Sequence, residues 1–366
     1  MIYRHLIRPL LFRCEPEWAH DQAILWSGRL ESVPGLVGVL SRLHRVTDPR
    51  LQVELAGLRF DNPIGLAAGY DKSGRAIGAM ESLGFGHVEI GSISASPSLG
   101  NPKPRLWRLP QDHAVCVHYG LPNEGAAAVA RRLSGRQFKA PLGINLVNTN
   151  QGPSAAPQNA QSILDDYCIS AKALAPFASY LMLNLSCPNT ADGRDFFDQP
   201  GILDGLLQGF ESLSIDVPVL LKISPDGDAS RTDRLLETVD RYDFIKGFMF
   251  NLSPSRRLGL TTPSDVWSRW PGAISGRPIR AWMDELTCRL YRQIDHGRYQ
   301  IISAGGIASA EDAYRRIRSG ASMVQLLTAL IYEGPGVVKR INRGLIRLIK
   351  RDGLANISQA IGVDAN

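Results

Sequence analysis

The chain has 366 residues and a formal net charge of +6 at pH 7, with 44% hydrophobic and 21% charged residues. This composition is typical of an ordinary globular protein with an ample core, and it excludes a low-complexity or disordered chain. The length fits either two average domains or one large α/β barrel with an extension. The mild positive charge suits an anionic cofactor or an anionic membrane surface, although solubility is its default meaning, and we expect no nucleic-acid partner.

The cysteine pattern excludes two further classes. The five cysteines, at positions 14, 116, 168, 187 and 288, show no CxxC spacing. Their odd number and wide scatter indicate reduced thiols in a cytosolic setting, and no His/Cys cluster suggests a metal. No apolar run approaches the ~20 residues that a spanning helix needs, and no signal peptide is recognisable.

Residues 1–44 differ in texture from the rest of the chain. Apolar residues, among them Trp18 and Trp26, recur at helical spacing, and three arginines precede the first acidic residue, Glu15. This pattern predicts two short amphipathic helices of the kind that lie on a membrane surface. The alternative is an N-terminal helix packed on its own domain, since amphipathic helices mostly face cores. On the membrane interpretation, the protein lies peripherally on the cytoplasmic side of the cell membrane.

From residue 51 onward, short apolar runs alternate with stretches of helical periodicity. The predicted strands are residues 63–68, 88–93, 141–147, 180–186, 218–224, 247–253, 300–305 and 323–328. The helices predicted between them include residues 75–83, 124–133, 161–174, 233–241 and 310–318. Continuous apolar strands alternating with helices indicate a parallel sheet covered on both faces.

Eight such repeats over about 300 residues match the usual size of a (β/α)8 TIM barrel. The predicted fold is therefore α/β, with a barrel domain over residues 45–366 and an N-terminal helical segment over residues 1–44. A doubly wound open sheet is the alternative, but no G-x-G-x-x-G motif lies between a first strand and a helix. Two Pro-, Ser-, Asn- and Gly-rich stretches, 148–158 and 254–275, are predicted as long loops at the barrel mouth, the second a candidate lid.

Polar side chains gather where the predicted strands end. The fourth strand runs into Asn184-Leu185-Ser186-Cys187-Pro188-Asn189, in which two carboxamides bracket a thiol. Such a cluster can be a simple turn, and a lone Cys is usually a small core residue. The other strand ends carry further polar or small residues: Ala68, Gly69, Lys72, Ser92, Asn145, Lys222, Asn251, Gly305, Gly306 and Thr328. Because parallel strands of a barrel end at one rim, we expect a polar site there.

Two features of that rim point to an anionic, electron-rich ligand. Gly305 and Gly306 precede a helix, where backbone N–H groups and the helix dipole favour a phosphate, with Thr328 at the next strand end. Lys222 is costly to bury without an anionic partner, unless it merely snorkels from a strand end.

These stretches occur together in a known family. The chain resembles the dihydroorotate dehydrogenases, specifically the membrane-associated, quinone-using class, from the N-terminal helices to Ile361. The segments that carry the resemblance are NPIGLAAGYDK at 62–72, GNPKPRLWRLP at 100–110, residues 184–190, the glycine pair and residues 324–335. Several long matches in the right order imply the barrel fold, an FMN-dependent oxidoreductase and a place in pyrimidine biosynthesis.

The resemblance also implies roles for individual residues. Cys187 corresponds to the catalytic base. The positions that hold the pyrimidine substrate are Lys72, Asn184, Asn189 and Asn251. The positions that contact FMN are Ala68, Gly69, Ser92, Asn145, Lys222, Gly276, Gly305, Gly306 and Thr328. His20 and Arg108 line the quinone tunnel. In the family mechanism the base removes the C5 proton of dihydroorotate while a hydride passes from C6 to FMN, and a quinone then takes the electrons.

The sequence departs from the family pattern around the substrate. The quinone-using class normally has Ser where this chain has Cys187, which is the base of the soluble class. Val117 replaces a substrate-binding Asn, Leu252 a Thr and Leu327 a Tyr, and 147–149 stands where Gly-Lys-Asn is expected. Two lost contacts of about 1–3 kcal/mol each would weaken orotate binding by roughly two to four powers of ten.

The residues and the resemblance leave three hypotheses about function. The first is oxidation of dihydroorotate to orotate with electrons passed to a quinone. The second is a related FMN oxidoreductase that acts on a less polar cyclic amide. The third is a non-catalytic flavin-binding protein at the membrane.

Overall fold

A computed structural model of the protein describes residues 2–152, 154–156, 158–187, 195–253 and 259–365. After a π-helical turn at Tyr3–Ile7, the α-helices are α1 Arg8–Leu11, α2 Pro16–Glu31, α3 Leu36–His44, α4 Ile77–Ser82, α5 Ala126–Leu133, α6 Ala160–Leu174, α7 Ile202–Ser212, α8 Ala229–Val239, α9 Ser264–Trp267, α10 Arg280–Gln293, α11 Ala310–Arg318, α12 Thr328–Glu333 and α13 Val337–Arg351. The strands are β1 Val53–Leu55, β2 Leu58–Phe60, β3 Ile64–Leu66, β4 His87–Ile93, β5 Leu106–Leu109, β6 Ala114–Val117, β7 Leu142–Leu146, β8 Tyr180–Asn184, β9 Val219–Ile223, β10 Ile245–Phe250, β11 Ala273–Gly276, β12 Gln300–Ala304 and β13 Met323–Leu326.

Eight parallel strands form a closed barrel in the order β3-β4-β7-β8-β9-β10-β12-β13, with β13 pairing back onto β3. These are the eight strands that the sequence predicts, and the (β/α)8 TIM barrel is confirmed. Every residue of β7 and β8 is buried, because the barrel interior covers one face and helices cover the other. The carboxyl ends of all eight strands therefore meet at one rim.

A small antiparallel sheet, which the sequence did not predict, lies beside the barrel. Its strand order is β11-β6-β5, so the segment after β4 pairs with a strand that comes after β10. The expectation that residues 254–275 form only a loop is wrong, because this stretch contains α9 and the start of β11. The ring of Trp107, on β5, stacks on that of Trp270, with centroids 5.4 Å apart, and so packs the segment that leads into β11 against β5. Residues 254–258 lie outside the described part of the chain.

The N-terminal segment contains three α-helices where the sequence predicted two. Gly35, with a φ of 77°, permits the turn between α2 and α3. The segment is attached to the barrel by polar contacts: the Tyr3 hydroxyl donates to the carbonyl oxygen of Ile331 over 2.6 Å. Glu17 on α2 pairs with Arg105 over 2.8 Å. Burial opposes the ionisation of Glu17, but hydrogen bonds from Arg105 and Lys103 outweigh it and lower the pKa of this carboxyl.

We predict that Leu181→Ala in β8 lowers the free energy of unfolding by about 2–5 kcal/mol, because its side chain is fully buried in the barrel core. The matched control is Leu99→Ala, at a side chain that is 91% exposed, which should change it by less than about 0.5 kcal/mol. Urea unfolding measures both. Equal effects at the two sites would contradict the packing described.

Candidate active site

A cavity of about 460 Å³ opens at the carboxyl ends of the barrel strands. It brings together most of the residues that the sequence singled out: Ala68, Gly69, Lys72, Ser92, Asn184, Cys187, Lys222, Asn251, Gly276, Gly305, Gly306 and Thr328. Asn145 is fully buried and reaches this group through a hydrogen bond with Ser92. Asn189 lies outside the described residues. One rim therefore holds the thiol, both lysines and the glycine-rich turn.

The thiol lies where β8 ends, and its backbone is held from two sides. Cys187 lines the cavity and is 5% exposed. The Tyr167 hydroxyl, on α6, donates to the carbonyl oxygen of Asn184 over 2.6 Å. Asn251 donates from Nδ2 to the carbonyl oxygen of Ser186 over 2.9 Å. Since both carbonyls belong to the segment that leads into the thiol, these contacts fix the position of Cys187 at the cavity.

Two carboxamides at the cavity are bonded to each other. Asn251 Nδ2 donates to Asn184 Oδ1 over 2.9 Å, and Asn184 Nδ2 donates to Ser92 Oγ over 3.1 Å. The backbone N–H of Leu252 donates to Asn251 Oδ1 over 2.9 Å. The amide groups are therefore oriented before any ligand arrives, which is what precise recognition of a planar polar ligand requires.

Lys72 is held between a histidine and an aromatic ring. Its Nζ lies 3.0 Å from His20 Nε2 and 4.1 Å from the centre of the Tyr119 ring. Burial lowers the pKa of Lys72 to about 8. Burial, and then the charge of Lys72, lowers the pKa of His20 well below its usual value, so the imidazole is neutral and accepts from the ammonium. The ammonium group of Lys72 therefore lines the cavity, where it can pair with an anionic ligand.

Lys222, at the end of β9, is the second cation at this rim, and its side chain is half-buried. Burial lowers its pKa, while the negative charge of Glu89 and that of a Cys187 thiolate oppose this shift. Glu89, on β4, is fully buried in the barrel interior. A positively charged Lys222 at this rim would stabilise negative charge on a ligand in the cavity.

The glycine-rich turn after β12 is fixed by a buried arginine. Gly305 and Gly306 have φ values of 99° and 76°, which a side chain would strain. Arg316 is fully buried and donates from Nη2 to the carbonyl oxygen of Gly305 over 2.9 Å. Ser309 caps α11 through a capping box with Asp312. This arrangement exposes the turn to the cavity and suits an anionic group such as phosphate.

A second cavity, of about 480 Å³, lies between the N-terminal helices and the barrel rim. Both residues predicted for a tunnel, His20 and Arg108, line it among mainly apolar side chains. The two cavities share part of their walls, formed by Ala68, Gly69, Val117, Tyr119, Leu252, Ser275, Leu327 and Thr328. They therefore meet at one boundary, and Lys72 bonds across it to His20.

Three of the departures noted in the sequence lie at this boundary. Val117, Leu252 and Leu327 each line both cavities. Val117 is brought there by the antiparallel sheet, where it pairs with Ala273. The substrate side of the boundary is consequently more apolar than the family pattern led us to expect.

The family model described as dihydroorotate dehydrogenase matches residues 50–349. The chain belongs to the dihydroorotate dehydrogenase family. This confirms the resemblance seen in the sequence. Membership covers the whole barrel rather than one motif, since the match begins before β1 and extends into α13.

Relatives within the dihydroorotate dehydrogenase family match over nearly the full length. The chain is similar to the dihydroorotate dehydrogenase (quinone) of Roseiflexus castenholzii, with 37% identity over 100% of this chain and 97% of the relative. The protein of the same name from Gloeobacter violaceus is 38% identical over 99% of this chain and 98% of the relative. Among solved structures, Eimeria tenella DHODH in complex with ferulenol has a TM-score of 0.82 at 30% identity, covering 95% of each chain.

Sequence reasoning missed four side chains that shape the site. Tyr119 lines both cavities, Arg316 holds the glycine turn, and Glu89 and Gln325 are fully buried inside the barrel. The available signal was a charged or amide residue in an otherwise apolar strand, as in β4 and β13. No sequence signal pairs Lys72 with His20, because their contact depends on how α2 packs on the rim.

We predict that Lys72→Met stabilises the protein at pH 7 by about 1–3 kcal/mol, because burial disfavours the charged amine in the folded state. Between pH about 8 and 10.5 the unfolded chain binds more protons at this site than the folded chain, so wild-type stability rises with pH there. Methionine binds no proton, and the advantage of the variant should therefore disappear as the pH approaches 10.5.

The measurement is urea unfolding of wild type and variant at pH 7 and pH 10. Lys172→Met, at an exposed lysine of α6, is the control and should change stability by less than about 0.5 kcal/mol at both pH values. A Lys72→Met protein that is less stable than wild type at pH 7 would contradict the burial argument.

Proposed function

We propose that the protein oxidises dihydroorotate to orotate, with FMN as its cofactor and a quinone as electron acceptor, in pyrimidine biosynthesis. The observation that carries the proposal is the meeting of two cavities in a member of this family: one holds a thiol and two lysines, and the other is mainly apolar and lies under the N-terminal helices. The relatives that match over their whole length are quinone-type dihydroorotate dehydrogenases by name.

The residues of the first cavity fit FMN. Gln325 lines the cavity, and its Oε1 is buried without a hydrogen-bond partner among the described residues, so it can accept from a ring N–H of a flavin. The glycine turn at Gly305 and Gly306, with Thr328, suits the phosphate. Ala68, Gly69, Ser92, Asn145, Lys222 and Gly276 are the remaining residues proposed to hold the cofactor. Bound FMN supplies the hydride acceptor.

The chain's own residues perform the other steps. The Cys187 thiolate removes the C5 proton of the substrate, since a thiol is a much easier base than a hydroxyl at neutral pH. Asn184, Asn251 and Asn189 hold the ring through their carboxamides. Lys72 pairs with the substrate carboxylate, and Lys222 stabilises the negative charge that accumulates on reduction.

The second cavity is the proposed quinone site. Arg108 donates from Nη1 to the carbonyl oxygen of Cys14 over 2.8 Å, and its guanidinium lies 4.7 Å from the centre of the Phe12 ring. Arg108 and His20 are among the polar groups of a mainly apolar chamber. Such a chamber suits a hydrophobic ring with carbonyl oxygens.

A second candidate is favoured by the apolar residues at the boundary between the cavities. Val117 and Leu252 cannot donate to a carboxylate or a ring carbonyl, and each contact absent from a buried polar ligand costs about 1–3 kcal/mol. A family enzyme that acts on a less polar cyclic amide would tolerate both. Turnover with dihydroorotate separates the two candidates.

The N-terminal segment, residues 1–44, is proposed to hold the protein peripherally on the cytoplasmic side of the cell membrane. Ten of the fourteen large hydrophobic side chains exposed in the described part of the chain lie between Ile2 and Leu43. None of the helices in that part is long and apolar enough to cross a membrane. Exposed apolar and basic residues on short helices favour contact with a lipid surface.

We predict that Cys187→Ala slows flavin reduction by dihydroorotate about 10²–10⁴-fold, because the general base is lost. Anaerobic mixing of the FMN-loaded protein with dihydroorotate, followed by flavin absorbance, measures the rate. Cys288→Ala is the control, since this thiol lies on α10 and lines neither cavity. Reduction by Cys187→Ala at the wild-type rate would refute the role of the thiol.

We also predict that Trp26→Glu weakens binding to vesicles that contain anionic lipid by about tenfold or more, because a 60% exposed apolar ring becomes a charge. Cosedimentation with the vesicles gives the partition constant. Ile169→Glu makes a similar change at a 57% exposed side chain of α6, on the barrel, and should leave partitioning unchanged. If both variants bound like wild type, the membrane contact would lie elsewhere.

A further inference from the structure

A fully buried carboxylate inside the barrel receives three hydrogen bonds. Glu89 Oε1 accepts from Asn145 Nδ2 over 2.9 Å. Its Oε2 accepts from the Tyr180 hydroxyl and from Gln325 Nε2, each over 2.8 Å. Glu89, Asn145, Tyr180 and Gln325 are all 0% exposed. A carboxylate can only accept, so every neighbour must turn a donor toward it.

The contacts continue from this carboxylate to the substrate side of the cavity. With its Nδ2 committed to Glu89, Asn145 turns Oδ1 to Ser92, whose hydroxyl donates to it. Ser92 Oγ in turn accepts from Asn184 Nδ2, and Asn184 Oδ1 accepts from Asn251 Nδ2. Each carboxamide and the hydroxyl thus has one orientation. In this chain of hydrogen bonds, every donor points toward Glu89.

The far end of this chain is fixed by backbone atoms. Asn251 donates to the carbonyl oxygen of Ser186 and accepts from the N–H of Leu252, so its amide cannot turn over without placing two acceptors face to face. The orientation of Asn184 is consequently set from both ends. While position 145 is asparagine, only an acceptor at position 89 is compatible with the backbone at the other end.

We propose that Glu89 is a positioning residue that fixes, through Asn145 and Ser92, which atoms of Asn184 and Asn251 face the ligand. The inference rests on the proposed function for the identity of that ligand, but the chain of bonds is a property of the protein alone. It assigns a role to an acidic residue that lines neither cavity. A ligand that needs the opposite donor and acceptor pattern is rejected, because buried mispaired groups are costly.

The variant Glu89→Gln tests the direction of these hydrogen bonds. Tyr180 and Gln325 both donate at the Oε2 position, so the new amide places its oxygen there and its NH₂ group against Asn145. Two donors then face each other, or Asn145 turns over and shifts the conflict toward Asn251. Asn145→Asp alone is equally mismatched, because it places a second carboxylate against Glu89. The double variant restores the pattern, since the amide introduced at position 89 donates to the carboxylate introduced at position 145, and that carboxylate still accepts from Ser92.

The experiment is a double-mutant cycle on the FMN-loaded protein, read by orotate titration of the flavin spectrum and by urea unfolding. Each single variant should weaken orotate binding about tenfold or more, and the double variant should recover to within about threefold of wild type. Tyr180→Phe removes a donor to the same carboxylate without reversing the chain, and should change affinity by less than about threefold. Its bond to Glu89 lies outside the path from Asn145 to Asn251.

Additive losses in the double variant, or a loss in Tyr180→Phe as large as that in Glu89→Gln, would overturn the proposal and leave Glu89 a packing residue. Coupling in the unfolding data without any change in orotate affinity would also overturn the positioning role. If wild type failed to bind orotate, the proposed function would fall. In that case the positioning role falls with its ligand, and unfolding judges only the directions of the hydrogen bonds: recovery in the double variant supports them and additivity refutes them.

Discussion

Closure of the barrel between β13 and β3 is the constraint on which the site depends. The pairing of Met323–Leu326 with Ile64–Leu66 brings the first and last barrel strands side by side. Lys72 comes after the first of these strands, and Thr328 comes after the last. Without this pairing, Lys72 and the end of the cavity that carries Thr328 would have no fixed relation to each other. The same rim carries the antiparallel sheet and the N-terminal helices, so both cavities are built on it.

Buried charge is the second organising feature. Lys222 and Glu89 lie inside or at the end of the barrel, where neither would be stable alone. The opposite charges of Lys222 and Glu89 stabilise each other. A cation therefore remains at the rim, and a hydrogen-bond acceptor remains inside the barrel. Lys72 instead bonds to a neutral imidazole and faces an aromatic ring. That arrangement leaves a positive charge that a substrate carboxylate can neutralise. If Lys72 has the proposed role, its burial lowers stability at a residue that binds substrate, as is common at active sites.

Much of the fold could be predicted from the sequence, because parallel barrel strands are continuous apolar runs that periodicity reveals. The helix predicted at 310–318 is found as Ala310–Arg318. The antiparallel sheet could not be predicted, since β5 and β6 are short and their third strand, β11, comes much later in the chain. The separation of α2 from α3 depends on Gly35 in a left-handed conformation, which a helical pattern does not disclose.

For the site, residue types and strand ends indicated which side chains meet. The first cavity contains every residue proposed for substrate or cofactor in the described chain except the buried Asn145. Hydrogen-bond direction was beyond the sequence, because it depends on which atoms of Glu89, Asn184 and Asn251 approach one another. At the apolar boundary between the two cavities, the sequence identified the residues but not their positions. Val117 and Leu252 were recognised as departures in the sequence, but only the fold shows that both face the two cavities at once.

The most direct test of the account is the stoichiometry of a complete turnover by the FMN-loaded protein on lipid vesicles. Dihydroorotate and a quinone are supplied together, and orotate formed is compared with quinone reduced. We expect equal amounts of orotate and reduced quinone, since the first cavity is proposed to oxidise dihydroorotate and the second to reduce the quinone. Quinone reduction by protein reduced chemically, with no orotate formed from dihydroorotate, would contradict the substrate while leaving the electron route intact.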